Sequence, residues 1–226
     1  MEEQASGFIL LDKPAGPTSH GMVSFLRRLT GIKRIGHAGT LDPFASGLLI
    51  MGIGRQATKR LGSFLKQDKE YEATLSLGST TSTFDPEGEV TSRYGGPVIG
   101  ADVVEKALKD FLGKQKQVPP MFSAKKVGGK KLYELARAGK EIEREPCDVE
   151  IYELEILNYA WPELKVRVKC SSGTYIRSLA HDIGAELGCG AHLKELRRTA
   201  IGGFSVKEAA LPESLSTGNW QSRLIP

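Results

Sequence analysis

The segment RIGHAGTLDPFASG, residues 34–47, presents a single carboxylate, Asp42, in a turn with little other reactive chemistry. Its three glycines relax the backbone, while Pro43 fixes its own φ and pushes Asp42 toward an extended conformation. A shaped loop of this kind can aim one carboxylate outward, where it can act as a nucleophile or as a base. On the local pattern alone, Asp42-Pro43 is equally typical of a residue pair that opens a turn.

The wider pattern resembles the TruB family of tRNA pseudouridine synthases, and the resemblance covers most of the chain. Six blocks follow one another in the family's order: GFILLDKPAGPTS (7–19), RIGHAGTLDPFASG with GLLIMGIGRQATK (34–59), KEYEATLSLGSTTSTFDPEGEV (69–90), VPPMFSAKKVGGKKLYELAR (118–137), SSGTYIRSLAHDIGAELG (171–188) and LKELRRTAIGGF (193–204). The departures are small, since Ala38, Ser46 and Phe122 stand where Thr, Thr and Tyr are more usual. None of these removes a group to which we assign chemistry.

The resemblance implies an α+β fold with a mixed, mostly antiparallel central sheet flanked by helices and loops. It implies one catalytic domain over residues 1–226, with an RNA-gripping insertion at about 114–145. The 22 residues after Phe204 are too few for the small C-terminal PUA domain of many bacterial relatives, so we expect either that the protein lacks this domain or that the sequence is part of a longer chain. The implied reaction is isomerisation of uridine 55 in the tRNA T-arm to pseudouridine. That reaction breaks one glycosidic bond and forms another without redox change, so we expect no cofactor. Asp42 would act on a uridine flipped out of its stack.

The resemblance also implies roles for residues around Asp42. Tyr71 matches a tyrosine that stacks on the target base, and Arg177 matches an arginine that pairs with the catalytic aspartate and favours its ionised form. Tyr175 and Leu196 match pocket walls that exclude water, and Lys13 is expected to support the pocket rather than to react. Outside the family context, these residues would be read as core residues or as one member of a surface ion pair.

RNA contacts are expected from a second set of residues. His37 lies in the glycine-flanked loop, where an imidazole can stack on a base or hydrogen-bond to it. The insertion and the last block supply the other members of the set, which are Phe122, Lys125, Lys126, Lys130, Lys131, Arg197 and Arg198. For Arg197 and Arg198, a solvated helix surface is an equally good interpretation.

The net charge of +4 is mild, but its distribution is uneven. Residues 114–145 contain nine Lys or Arg and four Glu, whereas the remainder of the chain has 22 basic and 23 acidic residues. This segment is where phosphate contacts are expected if the ligand is RNA. As a charge cluster alone, it is equally typical of a solvated Lys-rich loop and helix.

Composition bounds the class of protein. A chain of 226 residues with 40% apolar content can bury a core, and it has no run of eighteen apolar residues and no basic signal-peptide start. Three widely spaced cysteines and four histidines without ligand spacing indicate neither disulfides nor a metal site. We therefore expect a cytoplasmic, metal-free protein without membrane association. The family resemblance implies tRNA as the partner, no obligatory protein partner and a monomeric state.

Periodicity places the main elements. Apolar runs predict strands at Phe8–Leu11 and Leu48–Ile53, and alternation predicts half-exposed strands at Tyr71–Leu77 and Leu164–Cys170. Helical spacing predicts helices at Ser19–Leu29, Val103–Leu112 and Leu179–Leu187. Strands and helices do not alternate strictly, which favours an α+β domain over a doubly wound one.

Two other functions remain open. Gly52-x-Gly54-x-x-Ala57 follows an apolar run and satisfies the dinucleotide-binding signature, so an NAD-dependent oxidoreductase is one alternative. The signature lies far into the chain without a clear βαβ continuation. The second alternative is an RNA-binding module that has no catalytic activity.

The charged segment generates a first prediction. Replacing Lys125, Lys126, Lys130 and Lys131 together with Ala should weaken RNA binding at low salt and make the salt dependence shallower. Each lost phosphate contact should lower the logarithmic salt slope by roughly 0.7 to 0.9. Binding titrations over a series of salt concentrations measure this slope, and an unchanged slope would remove the insertion from the RNA footprint.

Overall fold

The structure is a computed structural model that describes residues 6–123, 125–137, 139–140 and 142–226. The side chains of residues 126, 130, 131 and 137 lie outside this description. The described helices are α1 (Ser19–Thr30), α2 (Gly54–Leu65), α3 (Ala101–Lys109), α4 (Leu132–Arg137) and α5 (Ile176–Glu186). The described strands are β1 (Gly7–Lys13), β2 (Ile35–Ala38), β3 (Ser46–Ile53), β4 (Lys69–Leu77), β5 (Ser79–Thr81), β6 (Val90–Arg93), β7 (Gly113–Gln117), β8 (Lys126–Val127), β9 (Lys130–Lys131), β10 (Cys147–Ala160), β11 (Glu163–Cys170), β12 (Ala191–Ile201) and β13 (Phe204–Ser205).

The chain divides into two compact units, and β4 and β12 contribute residues to each. The first unit comprises Met1–Tyr71 and Arg197–Pro226, and its strand order is β1-β3-β12, with β2 also paired to β3 and β13 to β12. The second unit comprises Glu72–Leu196, with the order β12-β4-β11-β10-β7. Apart from β3 with β12, the registered pairs are antiparallel, which confirms the predicted α+β fold with a mostly antiparallel sheet. The single-domain assignment stays a prediction.

In the first unit, β3 is buried on both faces, which explains its unbroken apolar sequence. Leu49, Met51 and Ile53 pack in a core with the buried residues of α1. Leu48 and Ile50 point the other way, into a second core with the buried residues of α2. Successive β3 side chains therefore each meet a helical layer, and the predicted strand at Leu48–Ile53 is confirmed.

In the second unit, the strand β11 alternates buried and exposed residues, as its sequence predicted. Helices α3 and α5 confirm the helices predicted from Val103–Leu112 and Leu179–Leu187, with shifted ends. The strand β10 was not predicted. Its register with β11 shifts between Ile151 and Glu153 and again between Ile156 and Asn158, so no single period of two runs along it.

The glycines of the dinucleotide signature do lie where β3 meets α2, but they serve packing. A Cβ on Gly52 would lie 3.1 Å from the Leu61 side chain, and a Cβ on Gly54 would lie 2.7 Å from Ser6 Oγ. Ser6 Oγ donates to the Ile53 carbonyl and accepts from the Ala57 N–H, so this hydroxyl occupies the start of α2. In addition, β3 pairs antiparallel with β1 and β2 instead of opening a βαβ unit. These contacts speak against the oxidoreductase alternative.

Among the described residues, every helix is too short or too polar to cross a lipid bilayer.

The close pairing of Gly47 with Arg198 generates a second prediction. Gly47 has φ +106°, and a Cβ there would lie 2.3 Å from the Arg198 carbonyl oxygen. Gly47→Ala should therefore lower the free energy of unfolding by about 3 kcal/mol or more, through strain and a backbone clash. Gly62→Ala is the control, because Gly62 lies inside α2 and a Cβ added there would meet no neighbouring atom within 4 Å.

The control substitution should stabilise the protein by roughly 0.5 to 1 kcal/mol, since Ala is the better helix former. Denaturant unfolding measures both changes. Equal stability of the two variants would contradict the close approach at Gly47.

Candidate active site

Asp42 lies in the first unit, in the loop between β2 and β3, and the residue before it is tightly held. Ser19 Oγ donates to the Leu41 carbonyl at 3.0 Å and accepts from the Leu41 N–H at 2.9 Å. The Asp42 carbonyl accepts from the Ala45 N–H at 3.2 Å, which closes the turn that Asp-Pro predicted. The loop therefore approaches Asp42 along a fixed backbone.

The residue after Asp42 is held by a buried ammonium group. Lys13 Nζ donates to the carbonyls of Pro14, Pro17 and Pro43 at 2.8, 2.7 and 3.3 Å. The Pro43 carbonyl also accepts from the Gly16 N–H at 2.8 Å. Burial lowers the pKa of Lys13 to about 8, a drop that the nearby Asp42 carboxylate reduces and the Arg198 guanidinium increases. Lys13 thus ties the Lys-Pro segment to the loop that carries Asp42.

Arg198 holds the same loop at its two ends. Its guanidinium donates from Nε to the Leu48 carbonyl at 2.8 Å and from Nη2 to the Gly39 carbonyl at 3.1 Å. Arg198 is only 2% exposed, so it is inaccessible to a phosphate at the surface. The predicted RNA contact of Arg198 does not fit this position, because the guanidinium is used inside the fold.

The neighbouring Arg197 is more accessible. Its guanidinium forms two hydrogen bonds with the Asp12 carboxylate, at 2.6 and 3.0 Å, and its side chain is 41% exposed. Neither arginine lies on the helix surface that was the alternative interpretation, since both belong to β12. The RNA contact of Arg197 stays a prediction.

His37 lies on β2 beside a polar cavity of about 430 Å³. Within the described part of the chain, its Nδ1 is buried without a hydrogen-bond partner. Burial lowers the pKa of His37, and the positive charges of Arg198 and His20 lower it further, which favours the neutral imidazole. The polar and basic residues that line the cavity with His37 are His20, Arg27, Lys33, Arg34 and Thr58.

The basic surface around this cavity was not predicted, because the charges outside residues 114–145 nearly cancel in total. Residues 27–66 contain eight Lys or Arg and a single acidic residue, Asp42, which is a larger imbalance than that of residues 114–145. Acidic residues elsewhere in the chain cancel this excess in the total. A sliding charge window would have found it.

In the second unit, Arg177 forms a buried ion pair with Asp85, at 3.1 Å between Nη1 and Oδ2. The two side chains are 5% and 4% exposed. Arg177 also donates to the carbonyls of Thr83 at 3.2 Å and Phe122 at 2.6 Å. The pairing of Arg177 with Asp42 stays a prediction.

Asp85 was not assigned a role from the sequence. Its carboxylate accepts from the Glu87 N–H at 3.0 Å and from Thr83 Oγ1 at 2.5 Å, in addition to its contact with Arg177. The signal was available, because Asp85-Pro86 repeats the Asp-Pro pattern singled out at Asp42-Pro43. A buried, fully hydrogen-bonded carboxylate of this kind orients the arginine that it meets.

The predicted pocket residues lie on regular elements. Tyr71 is on β4 and Leu196 on β12, and each is 8% exposed. Tyr175 caps α5, where the Gln117 side-chain amide donates to its carbonyl at 3.1 Å and accepts from its N–H at 2.8 Å. Their roles at the substrate stay predictions.

The predicted RNA-gripping residues are only partly described. Phe122 is 36% exposed, and Lys125 Nζ donates to Cys147 Sγ at 2.6 Å. The side chains of Lys126, Lys130 and Lys131 lie outside the described part of the structure, and only their backbone places them in the strands β8 and β9.

Nearly the whole chain matches two models of known protein families. Residues 27–176 match the family model described as TruB family pseudouridylate synthase, N-terminal domain. The chain belongs to the TruB family. Residues 177–221 match a second model, the C-terminal domain of tRNA pseudouridylate synthase B.

Curated TruB relatives are similar over nearly the whole chain. The tRNA pseudouridine synthase B of Desulfotalea psychrophila is 50% identical over 216 residues, covering 92% of this chain and 88% of the relative. The protein of the same name from Chlamydia muridarum is 50% identical over 206 residues, covering 91% and 85%. The family resemblance seen in the sequence is therefore confirmed.

Solved structures show the same fold. A Cbf5-Nop10-Gar1 complex matches 99% of this chain with a TM-score of 0.75 and 28% identity. An H/ACA RNP bound to a substrate RNA containing 2'-deoxyuridine matches 96% with a TM-score of 0.71 and 29% identity. This TruB-family chain spans 60% and 55% of the lengths of those two proteins.

The buried ammonium of Lys13 generates a third prediction. Its pKa is about 8 in the folded protein against 10.5 in the unfolded chain, so between these values the unfolded chain binds more protons. The contribution of Lys13 to stability therefore rises with pH across this window. Relative to Lys13→Met, the parent should gain roughly 3 kcal/mol of unfolding free energy from pH 8 to pH 10.5.

Chemical unfolding of both proteins over this pH range measures the difference. Lys109→Met, at an exposed position on α3, controls for the loss of one positive charge. A parent-minus-variant difference that stays flat or falls with pH would contradict the lowered pKa.

Proposed function

We propose that this protein isomerises uridine 55 in the T-arm of tRNA to pseudouridine, with Asp42 as the catalytic carboxylate. Membership of the TruB family and the shared name of the curated relatives support the reaction and the substrate. The observation that carries the assignment of Asp42 is its loop, which is anchored on each side of the carboxylate by Ser19, Lys13 and Arg198. Such anchoring is what a reacting group needs to be held in one orientation.

The chemistry needs little beyond a well-placed carboxylate. The bond from uracil N1 to the sugar C1′ breaks, the uracil turns, and a bond from C5 to C1′ forms, with no change in oxidation state. An ionised carboxylate can act at C1′, on the uracil ring, or on a sugar proton, and each of these routes starts from Asp42. Tyr71, Arg177, Tyr175 and Leu196 keep the roles that the family resemblance implies.

RNA binding is proposed to use two basic surfaces. One is the cavity beside His37, where exposed Arg27, Lys33 and Arg34 can meet phosphates while the imidazole contacts a base. The other is the insertion that contains Phe122 and Lys125. Unstacking a nucleotide costs a few kcal/mol, and phosphate contacts on these surfaces would offset that cost.

As part of the same proposal, tRNA is the macromolecular partner, and the protein works in the cytoplasm as a monomer without an obligatory protein partner. The cytoplasmic assignment follows from the proposed substrate, which is present in that compartment.

The fourth prediction concerns Asp42 itself. Asp42→Asn keeps the size of the side chain and most of its hydrogen bonding but removes the charge. Isomerisation should fall at least about a thousandfold, while affinity for tRNA changes by less than about threefold. Release of label from uridine C5 in tRNA measures the reaction, and a fluorescence titration measures binding.

Asp110→Asn is the matched control, because it makes the same chemical change at the exposed end of α3 and should leave both measurements unchanged. Turnover by Asp42→Asn within tenfold of the parent would show that another residue carries the chemistry. A parent chain that binds tRNA but releases no label would favour the non-catalytic RNA-binding module.

A further inference from the structure

Phe84 lies in a strained backbone conformation next to the buried ion pair. Within the described residues it is the non-glycine residue with a positive φ, at +63°. A bulky side chain seldom adopts this conformation, and where it does, surrounding contacts must hold it. One such contact is the Leu193 N–H, which donates to the Phe84 carbonyl at 3.0 Å.

The second contact is a stack with His181. The two rings lie 4.0 Å apart between centroids, with an angle of 15° between their planes. The Nδ1 atom of His181 is buried and has no hydrogen-bond partner among the described residues. His181 therefore acts on Phe84 as a flat aromatic surface, and hydrogen bonding through Nδ1 does not account for its placement.

The ring stack and the ion pair join the same helix to the same loop. Arg177 and His181 lie one turn apart on α5, and they meet the adjacent loop residues Asp85 and Phe84. The loop is thus attached to the helix at two consecutive points. Fixing the peptide of Phe84 also fixes the direction in which the Asp85 side chain leaves the backbone.

We propose that Phe84 and His181 are positioning residues for Arg177. The ring stack holds Phe84 in the left-handed conformation, this conformation places the Asp85 carboxylate, and the carboxylate orients the Arg177 guanidinium. The inference rests on the proposed function in that Arg177 takes part in uridine isomerisation. It adds two residues that act through Arg177 without touching the substrate.

The test compares His181→Leu with His181→Phe. Leu removes the aromatic surface and should lower kcat roughly ten- to a hundredfold, with KM for tRNA within about twofold of the parent. Phe restores a ring that can stack, so it should return kcat to within about threefold of the parent. Thermal unfolding is recorded for each variant, and Phe84→Leu, which removes the other ring, replaces His181→Leu where that variant does not fold.

A double-mutant cycle tests whether the effect passes through Arg177. Arg177→Lys removes the fork that Asp85 orients, so adding His181→Leu to it should lower kcat by less than about twofold further. Nitrogen NMR of the Arg177 guanidinium gives a readout that does not need activity. Its N–H signals should be resolved in the parent and in His181→Phe, and averaged by rotation in His181→Leu.

Three results would each overturn the proposal: unchanged kcat in a folded His181→Leu, a His181→Phe that is as slow as His181→Leu, or fully additive effects in the cycle. An inactive parent would defeat the proposed function instead. In that case the NMR signals still decide the positioning, because averaged signals in His181→Leu support it and unchanged signals overturn it.

Discussion

A buried guanidinium, that of Arg198, ties the loop that carries Asp42 to the backbone at both of its ends. It reaches the Gly39 carbonyl before the carboxylate and the Leu48 carbonyl after it. This reach depends on Gly47, whose missing Cβ lets its backbone lie directly against that of Arg198. Removing the guanidinium would leave two inward-facing carbonyls without a donor, which is costlier than losing an ordinary surface contact.

Lys13 holds the loop in the same way at Pro43, the residue that follows Asp42. Lys13 and Arg198 are both cations that donate to carbonyl oxygens, so directional hydrogen bonds hold the loop. The pKa of Lys13 is lowered because the cost of burying its charge exceeds the attraction of the Asp42 carboxylate. A carboxylate among preoriented positive groups needs little rearrangement when charge moves during a reaction.

The parts predictable from sequence were those with a strong local signal. The unbroken apolar run of β3 and the alternation of β11 each reported the burial of the strand directly. The strand β10 escaped because its two register shifts break the period. The helix α2 was not among the helices predicted from periodicity, and two of its twelve residues, Gly54 and Gly62, are of a type that forms helices poorly.

At the candidate site, sequence reasoning found chemical groups but not their burial. Nothing in the local pattern distinguishes Arg198, which is buried, from Arg197, which is partly exposed, because arginine usually lies at the surface. Asp85 was overlooked although it follows the same Asp-Pro pattern as Asp42. Its partner Arg177 is 92 positions away in sequence, and only folding brings the two together.

The burial of β3 on both faces limits how this protein can diverge. A strand with one solvated face can accept polar or larger residues at every second position, whereas each residue of Leu48–Ile53 belongs to one of the two cores or, at Gly52, lies against the Leu61 side chain. Substitutions are therefore tolerated more readily at the exposed basic residues of α1 and α2 than in β3. Under the proposed function, substitutions on those surfaces would change which RNA the protein binds and would leave the geometry of the loop that carries Asp42 intact.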